Sequence, residues 1–227
     1  MSAGMAGRML WLVAARDLRL AGRRRMDAAL PVAFFVLAAS LFPLGVGVEP
    51  DRLRQIGPGV VWVCALLATL VSMHALFAGD LADGSLDQML LPGRPVVMLA
   101  AGKALAQWLL TGLPLLVAAP LIGVMFDLSA PAIAVLVAAL ALGTPVLSLL
   151  GGMAAALTLG LRSAGLLTLL LVLPLCIPVL VFGSGAVVMA EAGLSAQGHL
   201  SLLAALLLLS IIGVPPATAA ALRMAVA

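Results

Sequence analysis

The chain has 227 residues, 64% hydrophobic and 9% charged, with 12 Lys and Arg against 9 Asp and Glu, a net charge of +3 and a mean hydropathy of +1.27. An average soluble domain is about 45–50% apolar and about 25% charged, so too few polar residues are present to cover a soluble surface of this size. The composition excludes a disordered chain, a disulfide scaffold and an ordinary cytosolic enzyme. It predicts an all-α polytopic membrane protein, with residues 1–227 forming a single transmembrane domain.

In chain order, the first element predicted is a cytoplasmic amphipathic elbow helix within residues 1–27. On a helical wheel Arg8, Arg16, Arg19 and Arg23 share an arc of roughly 80°, and Leu10, Trp11, Val13, Ala14, Leu18 and Ala21 face the other way. Leu12 and Asp17 fall on the wrong sides. Such a helix suits the headgroup layer. The apolar run 9–15 is short and Arg16, Asp17 and Arg19 follow at once, which reads against a cleavable leader.

Uncharged runs then predict six transmembrane helices near residues 28–48, 57–78, 104–126, 132–160, 165–189 and 200–222. The run containing 132–160 is too long for one straight span, and Pro131, Pro145, Gly151 and Gly152 are candidate points for a kink or a break. With the N-terminus in the cytoplasm, ten Lys and Arg lie inside: Arg8, Arg16, Arg19, Arg23, Arg24, Arg25, Arg94, Lys103, Arg162 and Arg223. Arg52 and Arg54 lie outside. Excess Lys and Arg mark cytoplasmic loops, so both termini are expected in the cytoplasm.

Residues 79–103 form the sizeable cytoplasmic loop. Asp80, Asp83 and Asp87 alternate there with Leu81, Leu86, Met89, Leu90 and Leu91. Gly84 permits a turn, Ser85 is the expected cap of a short helix, and Pro92 is expected to stop it. Leu86 and Leu90, spaced i to i+4, would share an apolar face suited to a groove on a soluble partner.

Catalytic motifs are absent. Gly102 and Lys103 lack the rest of a P-loop, and no H-E-x-x-H, C-x-x-C or G-x-S-x-G occurs. His74 and His199 are isolated and fall on opposite sides of the predicted membrane. Cys64 and Cys176 read as small buried hydrophobes. No acid or base sits mid-span, where a proton- or ion-coupled transporter usually keeps one. With 23 glycines and 14 prolines, kinked and closely packed helices are expected. The energy source is therefore expected on another chain, connected through the loop.

Several stretches then resemble one family in order along the chain: LFPLGVGVEP (41–50), PGVVWV (58–63), DLADGSLDQMLL (80–91), QWLLTGLPLL (107–116), LGTPVLSLLGG (142–152), LVLPLCIPVLVFG (171–183) and PATAAALR (216–223). Asp83-Gly84-Ser85-Leu86 with Asp80 upstream, and Trp108 with Thr111-Gly112-Leu113-Pro114, are the most specific parts. They resemble the heme exporter protein B family (CcmB), the membrane subunit of the cytochrome c maturation ABC complex. The resemblance implies an ABC-2-like permease that is not an enzyme and holds no cofactor, ATP and haem being handled by partner subunits. Those partners would be an ATPase dimer (CcmA), the haem-handling CcmC, the small CcmD and the haem chaperone CcmE, in the bacterial inner membrane. ATP hydrolysis would drive release of haem-loaded chaperone.

On this reading Asp80, Asp83, Gly84, Ser85, Leu86, Asp87, Gln88 and Leu90 dock the ATPase. Arg16, Asp17, Arg19 and Arg23 form the supporting elbow, and Gln107, Trp108, Thr111 and Pro114 shape the coupled motion in the membrane. The alternatives are an ABC-2 permease exporting a lipid or hydrophobic compound, and a passive scaffold for the haem-handling subunit.

Overall fold

The computed structural model describes residues 3–226 apart from 24, 48, 74–75, 92–95 and 162–163, and side chains there other than those of 3–6, 23, 25–28, 164 and 226. His74, Pro92, Arg94 and Arg162 thus lie outside the described residues, as does Arg24. The described chain is helical. Helix α1 spans Ala3–Arg23, α2 Arg25–Val46, α3 Pro50–Met73, α4 Ala78–Ala82, α5 Ser85–Met89 and α6 Val96–Gln107. A π-helical segment, Trp108–Gly112, runs into α7, Leu113–Met125. Then come α8, Ala130–Leu157, α9, Ala164–Glu191, and α10, Gln197–Val226.

Among the described residues six helical stretches are long and apolar enough to cross a membrane, which fits an all-α polytopic membrane protein. Several boundaries differ from expectation. The second span starts at Pro50, with Pro at the first helical position and Asp51 in the first turn, both favourable at a helix N-terminus. The third starts at Val96 rather than 104, so Lys103 belongs to a span and not to the loop. The loop is shortened to match. The long fourth run is one helix, with Pro145 inside it.

Helix α8 is the centre of the bundle and packs against α3, α6, α7, α9 and α10. Trp62, Phe35, Leu115, Leu136 and Leu140 lie in the main core, and Cys64 and Cys176 are buried there. A second, smaller core joins Val13 of α1 to Phe77, Leu86, Val96, Leu99 and Leu222. This core seats α1 against the foot of the third span. Leu41, Leu44, Val117, Leu121, Leu208 and Ile212 are exposed outward, as lipid-facing surfaces require.

Candidate coupling site

The site is assembled where α1, the α4–α5 pair and α6 meet. Gly84 sits between α4 and α5 at φ +71°, a left-handed conformation that favours glycine, and the chain turns there. The cap differs from expectation. Asp83 Oδ1 accepts the Ser85 backbone N–H at 2.9 Å. The Ser85 hydroxyl instead donates to Asp80 Oδ1 at 2.9 Å. A carboxylate one residue ahead of the turn is a better acceptor for the free amide, so Ser85 is released to bond sideways.

The apolar face of α5 also points the other way from expectation. Leu86 is fully buried in the smaller core beside Val13 and Phe77. It is a structural anchor, not a surface offered to a partner. Leu90 is half-buried, while Asp83, Asp87 and Gln88 are exposed. The physical reason is proximity: α1 and α6 already supply an apolar seat within reach of a five-residue helix. The Ser85 bonds pull the Asp83 carboxyl below the usual carboxylate range.

Four charges interlock behind this turn. Arg16 donates to Asp80 Oδ1 at 2.8 Å and lies 3.4 Å from Asp17 Oδ1. Lys103 Nζ lies 3.0 Å from Asp17 Oδ2 and pairs with the second oxygen of Asp80. It also donates to the Leu76 carbonyl at 3.1 Å and sits 5.5 Å from the centre of the Phe77 ring. Only 2% of Lys103 is exposed. A buried ammonium costs several kcal/mol unless paired and bonded, and here its three protons meet three acceptors. Burial opposes the Arg16 charge, but the Asp80 hydrogen bond and the surrounding carboxylates outweigh it and hold its pKa above the ordinary value.

Of the elbow residues, Arg16 and Asp17 join this cluster. Arg19 is exposed, and the side chain of Arg23 is not among those described. Asp17, on the wrong side of the wheel, is the residue that reaches Lys103. The elbow helix lies close: a Cβ at Gly102 would meet the Leu10 carbonyl oxygen at 2.7 Å.

Above Lys103, a polar stripe climbs the third span at i+4 and i+8. Gln107 Nε2 donates to Ser72 Oγ on α3 and, at 3.0 Å, to Thr111 Oγ1. Thr111 donates to Ser72 at 3.2 Å, and Ser72 donates to the Thr69 carbonyl at 2.8 Å. Trp108 Nε1 donates to Thr144 of α8 at 3.0 Å. The stripe runs from α6 into the π-helical Trp108–Gly112, which holds Thr111. Pro114, in the first turn of α7, has no N–H for the carbonyl four residues back and crowds it, which favours a widened turn there. A Cβ at Gly112 would lie 2.4 Å from Trp108 Cδ1, so the indole rests on a bare backbone. The structure therefore brings Gln107, Trp108 and Thr111 together and sets Pro114 just beyond them. Sequence reasoning counted Lys103 as a loop charge. Its i, i+4, i+8 spacing to Gln107 and Thr111 was the available signal.

At the opposite end of the bundle, Arg54 donates to the Asp127 carbonyl at 2.8 Å and to Asp127 Oδ2 at 2.6 Å. Its Nε lies 3.9 Å from Glu191 Oε1. Glu191 Oε2 accepts the Ser129 backbone N–H at 3.0 Å and its hydroxyl at 2.9 Å. Ion pairs among the described residues thus fall into two groups, one at each end. Among those residues no group of His, Cys, Asp or Glu is placed to hold a metal ion.

The family model described as CcmB protein matches residues 8–225. Heme exporter protein B of Pseudomonas aeruginosa is 49% identical over 156 residues, covering 69% of this chain and 70% of that protein. The protein of the same name from Paracoccus denitrificans is 50% identical over 152 residues, 67% of this chain and 70% of its own length. That from Escherichia coli K12 is 42% identical over 159 residues, 70% and 72% respectively.

Proposed function

The chain belongs to the CcmB family, and from that premise we propose that this membrane subunit of the haem-export and cytochrome c maturation system is the non-catalytic, ABC-2-like permease of an ABC complex. ATP hydrolysis takes place on a separate ATPase dimer of the CcmA type. The permease passes the resulting motion to CcmC, CcmD and the haem chaperone CcmE, so that haem-loaded chaperone is released. The complex sits in the bacterial inner membrane with both termini of this chain in the cytoplasm. The ten-to-two division of Lys and Arg, nine to two with Lys103 counted inside the third span, supports that sidedness.

One observation carries this reading. Lys103 ties the elbow helix, through Asp17, and the α4–α5 turn, through Asp80, to the foot of a membrane span. Force applied to the turn from the cytoplasm reaches the span through bonded, buried charge. The exposed docking surface is Asp83, Asp87 and Gln88 with half-buried Leu90, and Leu86 and Ser85 hold that surface from behind. ATP and haem belong to the partner subunits.

The test compares wild type with Asp87→Arg and Gln88→Ala. Retained ATPase subunit per permease is measured in a pull-down, alongside c-type cytochrome yield. Both readouts are expected to fall together while the permease accumulates normally. Intact cytochrome yield with an ATPase-dead partner would favour a passive scaffold, and normal cytochromes without this chain would favour export of another hydrophobic compound.

A further inference from the structure

A cavity of about 940 Å³ opens beside the charge cluster, between α1, the start of α2, the end of α3 and the third span. Its charged lining is Asp17, Asp80, Asp83 and Lys103, of which Asp83 is exposed while Asp80 and Lys103 are buried. One wall is the polar stripe of Ser72, Gln107 and Thr111. The rest of the lining is largely aliphatic, including Leu20, Leu30, Val71 and Leu110. Leu20, Leu30 and Val71 are 48%, 58% and 41% exposed, so this side is open sideways to the hydrocarbon. A charged mouth, a polar side and an aliphatic side open to lipid are the requirements of a membrane amphiphile.

Hydrogen-bond accounting decides which amphiphile. The three protons of Lys103 go to Asp17, Asp80 and the Leu76 carbonyl. The amide protons of Gln107 go to Ser72 and Thr111, the Thr111 hydroxyl proton to Ser72, and the Ser72 proton to the Thr69 carbonyl. Each of these donors is committed within the protein. What remains is acceptor capacity, above all the exposed carboxylate of Asp83, which accepts the Ser85 amide through Oδ1. Of the three carboxylates lining the crevice, Asp17 and Asp80 are matched by Lys103 and by Arg16 behind them, which leaves the exposed Asp83 as the one unmatched charge. At Asp83 an anionic headgroup would meet like charge, whereas a headgroup bearing an N⁺–H donor would find both opposite charge and an open acceptor.

We propose that this crevice is a site for a membrane lipid with a primary ammonium headgroup, of the phosphatidylethanolamine type, its ammonium at Asp83 and one acyl chain along Leu30 and Val71. The same accounting makes it a poor site for the carboxylates of haem. The proposal shares Asp83 with the docking surface, but its test involves this chain and lipid alone and does not depend on ATPase coupling.

The test is native mass spectrometry of the full chain in detergent, exchanged into phosphatidylethanolamine, phosphatidylcholine or phosphatidylglycerol with the same acyl chains. The ethanolamine lipid is expected to be retained at least tenfold more tightly than the other two. Asp83→Asn should reduce that preference to near parity, because the neutral amide still caps Ser85 but has lost its charge. Val71→Trp should fill the crevice and remove one bound lipid, while Ile212→Trp on an exposed part of α10 should not. Equal retention of all three lipids, preference for the glycerol lipid, or an unchanged preference in Asp83→Asn would each overturn the proposal. So would an unaltered lipid count in a Val71→Trp protein that keeps the wild-type elution volume.

Discussion

Lys103 of the third span and Asp17 of the elbow helix stand 86 positions apart in sequence and 3.0 Å apart in space. Asp80 closes the same contact from the α4–α5 turn. Three segments that hydropathy treats separately are therefore one electrostatic unit. Formally it is neutral, two cations against two carboxylates when Arg16 is included. Each member has two partners, so removing any one leaves the cluster with one uncompensated charge.

Lys103→Ala is expected to destabilise the protein by about 3–5 kcal/mol, the usual cost of breaking a buried pair from one side. Thermal unfolding in detergent measures this, and limited proteolysis should show the elbow helix cut first. Lys103→Arg should recover part of the loss. An unchanged melting temperature for Lys103→Ala would show that the cluster contributes nothing to stability.

Leu86 and Asp87 are neighbours with opposite expected phenotypes. Leu86→Asp places a charge in a fully buried apolar site, so the expected result is poor accumulation of the permease itself. Asp87→Arg changes an exposed residue and is expected to leave accumulation unchanged while lowering ATPase retention. Immunoblots of the permease alone, before any pull-down, distinguish the two.

Gly112→Ala would put a methyl group 2.4 Å from Trp108 Cδ1. The indole must move, and its bond to Thr144 is expected to break at a cost of about 1 kcal/mol. In a Trp11→Phe, Trp62→Phe background the remaining tryptophan fluorescence should shift to the red. Emission identical to that of the parent would mean that the ring keeps its seat.

Arg54 and Glu191, 3.9 Å apart, require residues 49–55 and 192–199 to share one side. Reporters placed there should read periplasmic, and reporters after residues 92 and 227 cytoplasmic. A C-terminal reporter on the same side as residue 54 would contradict the six-span order.

Asp83 gives a pH signature. Its folded pKa is lowered by the Ser85 bonds, so its contribution is complete above the ordinary carboxylate pKa of about 3.9 and is lost as pH falls through the lower folded value. Exchange protection of the Ser85 amide should hold at pH 5 and disappear only under stronger acid. Asp83→Asn should abolish that dependence.

Hydropathy revealed the six spans because runs of about 20 apolar residues have few other uses. It misplaced the foot of the third span because a lysine reads as a boundary unless its counter-charges are known, and Asp17 and Asp80 come from distant parts of the chain. Asp17 looked misplaced on the elbow wheel, since a wheel assumes water or lipid on each face and not another helix bearing an ammonium. Leu86 was legible as apolar but not as inward-facing, because a five-residue helix carries the same pattern either way. The π-helical turn has no hydrophobic period of its own, though Pro114 marked its end.

An α-helical turn holds 3.6 residues, and the widened turn at Trp108–Gly112 accommodates more. Returning it to α geometry would shift the two halves of the third span by one residue, a rotation of about 100° and a rise of about 1.5 Å. Below it, the helix is clamped to the elbow at Lys103 and Gly102. At its start, Trp108 is fastened to α8 through Thr144. Twist applied at the clamp therefore has one natural place to be absorbed, and the third span works less as a piston than as a shaft with a single universal joint.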